Sequence, residues 1–334
     1  MAQYGLIADI GGTNARFALA PLLSFDPAEG PQLAEQDLVA VAALNGAEYD
    51  TIADAIRAYL TGPAADYERP EHAVMAIACP TDKDRITMTN HTWSFSVQEL
   101  QSDIGLTSLK FINDYNALAN AIPHLGSDGV VKVGPGEAVP GWPMAVTGPG
   151  TGLGLAGLAF SSAGPVTLET EGGHAHFAPT DAVEIDILKF LLTKYERVSV
   201  ERLLSGMGLE NIYQALCDRQ EVAPQSLKAA DISQRALDRA DPQCEEALAR
   251  FCAILGSYAG DAALMLGAKG GLYIAGGIVP RFLDYFQSSQ FRARFEAKAR
   301  LRGFVEHVPT YVVVSKQPGL LGAAAVLNHR LNTH

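Results

Sequence analysis

Short apolar runs separated by glycine turns dominate the hydrophobic pattern of this chain. Residues 4–9 and 17–19 are apolar runs too short for a helix, and they flank a glycine turn at 11–14. The same order recurs later, where apolar runs at 144–147 and 153–158 flank the turn at 148–152. The pattern predicts two hairpins of strand, glycine turn and strand, one in each half of the chain.

Helical periodicity lies between and after these hairpins. Apolar positions spaced i, i+3, i+4 and i+7 predict a helix over 52–60 that ends near Gly62. Further helices are predicted around 188–195, 209–216, 245–266 and after 318, and buried strands at 74–79, 109–112, 271–275 and 311–314. The Gly- and Pro-rich stretch 127–143 is predicted to be a loop or crossover. The two halves together predict a duplicated α/β architecture with a cleft between them.

Charge restricts the possible partners. The 334 residues include 25 Lys and Arg against 37 Asp and Glu, a formal net charge of −12. Such a field does not attract phosphate backbones or anionic lipid, so neither nucleic acid nor a membrane surface is expected as a partner. An anionic ligand would need backbone amides or Mg²⁺ to bind here.

Cysteine usage and hydropathy indicate the compartment. Cys79, Cys217, Cys244 and Cys252 form no C-x-x-C pair, which predicts reduced structural thiols. The first ten residues carry Asp9 within their apolar stretch and lack a basic start, unlike a signal peptide. Uncharged residues 138–168 are interrupted by prolines and glycines, which argues against a membrane span. We therefore expect a cytoplasmic protein.

The first candidate site is the turn after the first strand. Gly11 and Gly12 are expected to turn with positive φ and bring bare N–H groups against phosphate oxygens, with Thr13 and Asn14 as further donors. Asp9, at the strand end, is placed to hold Mg²⁺ directly or through water. A plain hairpin explains the same residues equally well when they are taken alone.

The second glycine turn strengthens the nucleotide interpretation. Gly150, Thr151 and Gly152 offer a phosphate loop in the other half, and Gly276-Gly277 follows a buried strand as a platform for adenosine. Neither turn fits the Walker A pattern, and the chain leaves the first as a strand, which argues against a dinucleotide fingerprint.

Polar side chains elsewhere suggest a polyhydroxylated substrate. Asn113 and Asp114 end a predicted strand, where a carboxylate can accept a hydroxyl proton during phosphoryl transfer, although such a pair is more often a turn or helix cap. A sugar needs both hydrogen-bond donors and acceptors, and these are supplied by Glu171, His174 and Glu201. Glu201 lies on a helix predicted to begin near Ser199. Zinc is the weaker alternative, because no H-E-x-x-H motif is present. His91 and His176 are more typical of structural histidines.

These motifs in combination resemble the bacterial glucokinases of the non-ROK type, in the sugar kinase, Hsp70 and actin ATPase superfamily. The matching segments run from end to end: 9–16, 77–80, 88–93, 112–114, 150–154, 171–174, 199–206, 274–282 and 318–322. The scattered cysteines differ from the zinc motif of ROK kinases. Pro149 and Thr170 stand where the family pattern has Ala and Gly.

The resemblance implies an actin-like, ribonuclease H-like α/β fold of two domains with a cleft between them. The small domain would comprise residues 1–124 plus 318–334, and the large domain 125–317. The implied reaction is transfer of the γ-phosphoryl group of ATP to the 6-hydroxyl of glucose, at the entry to glycolysis, by a cytosolic homodimer. Asp114 would be the base, and Asn113, Glu171, His174 and Glu201 would bind the sugar.

The same resemblance implies that ATP lies against the loops containing residues 11–14, 150–152 and 276–277. Two alternatives remain open from the residues. One is a kinase for another hexose, because the sequence supplies hydroxyl-binding groups without fixing their direction. The other is a sugar-responsive regulator that has the fold but no turnover. The intact candidate base argues against this second alternative.

Overall fold

The computed structural model describes residues 3–23, 33–88 and 91–332; Thr89 and Asn90 of the motif at 88–93 lie outside them. The chain divides into two compact units. The first takes in the chain up to Gly129, Ser161–Thr167 and the chain from Ser315 onward, and the second takes in Val130–Phe160 and Leu168–Val314. No helix within the three described ranges is long and apolar enough to cross a membrane.

The first unit is built on a five-stranded sheet in the order β3-β2-β1-β4-β7. Its strands are β1 (Tyr4–Ile10), β2 (Asn14–Pro21), β3 (Val39–Asn45), β4 (His72–Ile77) and β7 (Ser108–Asn113), and β5 (Arg85–Thr87) pairs separately with β6 (Ser94–Ser96). Strands β1 and β2 form the predicted antiparallel hairpin, whereas β4 runs parallel to both β1 and β7. Parallel β1, β4 and β7 therefore deliver their carboxyl ends to one edge of the sheet.

Helices cover both faces of this sheet, which explains why β1 and β4 are apolar at almost every position. They are α1 (Ile52–Thr61), α2 (Val97–Ile104), α3 (Asp114–Ala121) and α11 (Pro318–Asn332). On one face Ile56 and Tyr59 of α1 pack with Leu6 and Phe17, and on the other the Ala-rich helix α11 packs with Ile7. The predicted end of α1 is confirmed, since Gly62 is its C-cap.

The second sheet has six strands in the order β11-β10-β9-β12-β13-β8. They are β8 (Val130–Lys132), β9 (Met144–Pro149), β10 (Leu153–Ser161), β11 (Gly164–Thr170), β12 (Leu272–Ile274) and β13 (Thr310–Val313). The predicted hairpin of β9 and β10 is confirmed. The prediction of a loop throughout 127–143 is wrong at β8, a three-residue edge strand held by β13 and too short to show alternation in its own sequence.

Helix α7 (Pro242–Leu266) runs through the core of the second unit, as its sequence predicts. Its glycines allow close packing: a Cβ on Gly256 would collide with the backbone of Phe291, and one on Gly260 would lie 2.5 Å from the carbonyl oxygen of Phe295. The other helices of the unit are α4 (Ala182–Leu192), α5 (Gly206–Arg219), α6 (Ala229–Leu237), α8 (Leu283–Ser288), α9 (Phe291–Glu296) and α10 (Arg302–Val305). Helix α4 begins earlier than predicted, because Asp181 caps its N-terminus.

Candidate active site

The first glycine turn is a tight hairpin loop held by its own backbone. Gly11 N–H donates to the carbonyl of Asn14 at 3.0 Å, and Gly46 N–H, after β3, donates to the carbonyl of Thr13 at 2.9 Å. The expectation of positive φ is wrong, since neither Gly11 nor Gly12 adopts it. Glycine permits a positive φ without requiring one. Thr13 and Asn14 are exposed on this turn.

Asp9 lies at the end of β1, beside this turn. Its register partner on β2 is Arg16, whose Nη1 lies 3.7 Å from Asp9 Oδ2. Burial raises the pKa of Asp9, and the positive charge of Arg16 opposes that rise. Gly319, near the start of α11, closes the other side: a Cβ there would lie 2.7 Å from Asp9 Oδ2, so glycine gives the carboxylate its room.

Asn113 and Asp114 form the junction between β7 and α3. Asn113 is the N-cap of the helix, and its Oδ1 accepts from Tyr115 N–H at 2.9 Å. Asp114 Oδ1 accepts from the same N–H at 2.9 Å. Burial raises the pKa of Asp114 to about 6, and the negative charge of Asp9 adds to that rise. The pair is thus a helix cap and also presents a carboxylate whose pKa is close to neutral.

The donor chemistry at Asp9 fits magnesium. Mg²⁺ in nucleotide sites is usually held by one or two carboxylates together with substrate phosphates and water, rather than by an all-protein cage. Asp9 supplies one such carboxylate at the strand edge, and its effect on the pKa of Asp114 indicates that a second is close. In the described ranges no three His, Cys, Asp or Glu residues could hold a metal by themselves.

The second glycine turn joins β9 to β10. Gly150 N–H donates to the carbonyl of Gly152 at 2.8 Å, and Gly206 N–H, at the start of α5, donates to the carbonyl of Gly150 at 3.0 Å. Thr151 is exposed at the tip. The hairpin and the start of α5 are therefore tied together through backbone groups.

The Gly-Gly turn after β12 lies against this hairpin. Gly276 has φ +88°, and a Cβ on it would lie 2.6 Å from the carbonyl oxygen of Pro149. Gly148 has no room for a side chain either, because a Cβ would collide with the backbone of Ala275. Gly277 is exposed, with open space around its Cβ position. The predicted loops at 148–152 and 276–277 thus meet within the second unit.

Glu171 and His174 lie on a short 3-10 turn after β11. Gly173 allows the turn to lie against β10, since a Cβ there would collide with the carbonyl of Leu153. His174 Nε2 lies 3.9 Å from Glu171 Oε2, and His174 Nδ1 lies 3.9 Å from Glu201 Oε1. The imidazole is therefore flanked by two carboxylates, and all three predicted side chains are brought together.

Glu201 lies on the turn Val200–Arg202, which is a single 3-10 turn rather than the start of the predicted helix. Its Oε2 accepts from Leu153 N–H at 3.0 Å, at the first residue of β10. A Cβ on Gly152 would lie 2.5 Å from the same oxygen. The Glu201 carboxylate thus contacts both the His174 cluster and the glycine hairpin.

The sequence interpretation did not assign roles to Arg16 or Gly319, although both lie within matched motifs. The sequence did contain a signal for Arg16. Counting residues outward from the turn of the predicted hairpin places Arg16 opposite Asp9. His176 forms a backbone bridge with Ser199, and the His91 ring packs against Trp93. Both histidines thus have the structural contacts expected of them.

Comparison with known proteins gives consistent matches over the whole chain. The family model described as Glucokinase matches residues 6–330. A glucokinase of Neisseria gonorrhoeae is 46% identical over 98% of this chain and 95% of its own length. A glucokinase of Pectobacterium atrosepticum is 41% identical over 100% of this chain and 99% of its own. The crystal structure of a glucokinase from an Antarctic psychrotroph superposes with TM-score 0.88 at 35% identity, covering 98% of this chain and 99% of that one.

Proposed function

This chain belongs to the glucokinase family, and we propose that it transfers the γ-phosphoryl group of ATP to the 6-hydroxyl of glucose through the residues described above. The products are glucose 6-phosphate and ADP. The observation that carries the proposal is the carboxylate of Asp114, at the edge where parallel strands end, with a pKa raised to about 6. A base with that pKa is mostly ionised at neutral pH and is still a good proton acceptor.

We place the chain in the non-ROK branch of the actin-like, ribonuclease H-like superfamily. The small domain corresponds to residues 1–124 plus 318–334, and the large domain to 125–317, with the substrates bound in the cleft between them. Support comes from the two strand-turn-strand hairpins, one in each of the two large sheets, and from the absence of a cysteine cluster in the sequence. Cytoplasmic location and a homodimer are part of the same proposal, and light scattering would test for twice the chain mass of 35.5 kDa.

The residues that bind the sugar in this proposal are Asn113, Glu171, His174 and Glu201, together with Asp114. Two carboxylates, each 3.9 Å from the same imidazole, offer both acceptors and donors to neighbouring hydroxyls together with that imidazole. Asn113 is fixed by its capping bond to Tyr115 N–H, so its amide is held in one orientation. These groups orient the 6-hydroxyl toward Asp114, and orientation lowers the barrier because less entropy is lost in reaching the transition state.

Two sets of backbone amides bind the phosphates in this proposal. One set belongs to the loop 11–14 and the other to the loop 150–152, apart from the N–H groups of Gly11 and Gly150, which donate within their own loops. Gly276 and Gly277 would lie beside the adenosine. Asp9 is the residue that would hold Mg²⁺, which neutralises phosphate charge when bound. Asp114 accepts the hydroxyl proton as the oxygen attacks phosphorus, and domain closure excludes water so that ATP is not hydrolysed.

A hexose panel tests this function directly. The purified protein would be incubated with Mg·ATP and glucose, mannose, fructose or galactose, while ADP release is followed and the product is identified by NMR. We expect rapid, glucose-selective formation of glucose 6-phosphate, and none when EDTA removes the metal. Faster turnover of another hexose would reassign the substrate, and glucose binding without turnover would refute the kinase.

A further inference from the structure

The two oxygens of the Glu201 carboxylate have different neighbours. Oε1 lies 3.9 Å from His174 Nδ1, on the side assigned to the sugar. Oε2 accepts from the backbone N–H of Leu153 at 3.0 Å, on the side assigned to ATP. The Glu201 side chain is 24% exposed, so most of it packs against the protein.

The link between Glu201 and the glycine hairpin is built from several contacts. Gly206 N–H donates to the carbonyl of Gly150 at 3.0 Å, so the segment that carries Glu201 also holds the tip of the hairpin. Ser205 Oγ donates to the carbonyl of Glu201 at 2.9 Å and caps α5. Since a Cβ on Gly152 would lie 2.5 Å from Oε2, the hairpin and the carboxylate fit together only with glycine at that position.

Backbone hydrogen bonds also connect the segment that carries His174 to the segment that carries Glu201. The segment after His174 pairs with the segment before Glu201: Phe177 N–H donates to the carbonyl of Val198 at 3.1 Å, and Val200 N–H donates to that of Ala175 at 2.9 Å. His176 bridges Ser199 in an antiparallel arrangement. This ladder fixes the spacing between the His174 turn and the Glu201 turn, so a ligand that moves one turn moves the other.

We propose that Glu201 is a positioning residue that couples glucose binding to the order of the ATP loop, by means of its hydrogen bond to Leu153 N–H. The inference rests on the proposed function. Sugar hydroxyls donating to Oε1 hold the carboxylate in place, and the held carboxylate fixes the hairpin at 150–152 in the conformation that receives phosphates. Glucose therefore tightens ATP binding, and by linkage ATP tightens glucose binding by the same factor.

Glu171 supplies a matched control. It too is a carboxylate that lies 3.9 Å from His174, but its side chain is 83% exposed and it lies near Nε2 of the imidazole, whereas Glu201 lies near Nδ1. Its side chain forms an ion pair with His174 and makes no capping hydrogen bond to its own turn. Glu171→Gln and Glu201→Gln therefore make the same chemical change to a sugar-binding carboxylate, and both should weaken glucose binding, which saturating glucose offsets. Only Glu201→Gln also weakens the acceptor of Leu153 N–H.

Calorimetry would measure the Kd of Mg·AMPPNP with and without saturating glucose in the intact protein and in both variants. We expect glucose to tighten the analogue at least about fivefold in the unaltered protein and in Glu171→Gln, and less than about twofold in Glu201→Gln. Equal coupling in all three proteins, or no coupling in the unaltered protein, would overturn the inference. If neither glucose nor the analogue binds the unaltered protein, it is the proposed function that fails.

Hydrogen exchange provides a second readout if Glu201→Gln loses glucose altogether. In the unaltered protein, glucose without nucleotide should slow amide exchange in the peptide covering residues 150–156. In Gly152→Ala the added methyl displaces Oε2, so the slowing should disappear while glucose still protects the turn at 171–174. Slowing that persists in Gly152→Ala would contradict the coupling through Glu201.

Discussion

Asp9 at the end of β1 raises the pKa of Asp114 at the start of α3, although 105 positions separate them in the chain. The two carboxylates approach because β1, β4 and β7 are parallel neighbours: Ile10 pairs with Ile77, and Ile77 pairs with Asn113. Like charges so placed disfavour each other's ionisation. Burial is the main cause of the raised pKa of Asp114, about 6, and the charge of Asp9 adds to that rise. This pKa suits a general base at neutral pH and leads to the predictions for Asp114 that follow.

Loss of the base should reduce turnover more than sugar binding. Asp114→Ala is expected to lower kcat by about 10² or more and to leave glucose affinity largely intact, because the proton acceptor is needed in the transition state. Steady-state kinetics together with calorimetric glucose binding would check both. A near-normal kcat in this variant would reject Asp114 as the base.

The pH dependence of kcat/KM in the unaltered enzyme should reflect the ionisation of Asp114. Asp114, with a pKa of about 6, accepts a proton only when it is ionised. We expect kcat/KM to be level at pH 7–8 and to fall about tenfold for each pH unit below that pKa. A profile that stays level down to pH 5 would mean that a different group is the base.

The raised pKa of Asp114 should also cost stability. A carboxyl with a folded-state pKa of about 6 against 3.8 unfolded stabilises the fold fully only below pH 3.8, and that contribution is lost as the pH rises through 6. Asp114→Asn should therefore raise the free energy of unfolding at pH 8 by about 1–3 kcal/mol, a gain that shrinks toward pH 5.5. Urea titration would measure it, with exposed Asp66→Asn as a control expected to change little.

Gly276 and Gly277 should respond differently to the same substitution. Gly276→Ala places a Cβ at φ +88° and 2.6 Å from the carbonyl of Pro149, which should destabilise the second unit by about 1–3 kcal/mol and weaken ATP binding. Gly277→Ala meets open space and should leave stability nearly unchanged. Thermal unfolding of both variants provides the comparison, and equal effects would contradict the assigned packing.

The cysteines should be unreactive in the folded protein. All four are buried, and burial raises the pKa of Cys244 and Cys252 to about 12, so little thiolate is present near neutral pH. DTNB should react very slowly with the native protein and rapidly with four thiols after unfolding in guanidinium chloride. Fast reaction of any thiol in the native state would contradict this burial.

Much of the local structure was predictable because it depends on neighbours in sequence. The hairpins around 11–14 and 148–152 follow from apolar runs that flank glycine turns, and α1 follows from its period and from Gly62 at its end. Strand β8 was missed, because its three residues form a strand only by pairing with β13. The φ of Gly11 and Gly12 was mispredicted, because glycine permits a positive φ but does not impose one.

The sequence by itself determined which chemical groups are available: the carboxylates, the imidazole, the glycine loops and the family motifs that contain them. Only the tertiary structure decided which of these groups interact. The influence of Asp9 on Asp114, the room that Gly319 leaves for Asp9, and the hydrogen bond from Leu153 to Glu201 all join residues far apart in the chain. Periodicity and residue type report local preference, whereas pKa values and contacts depend on distances that exist only once the sheets have formed.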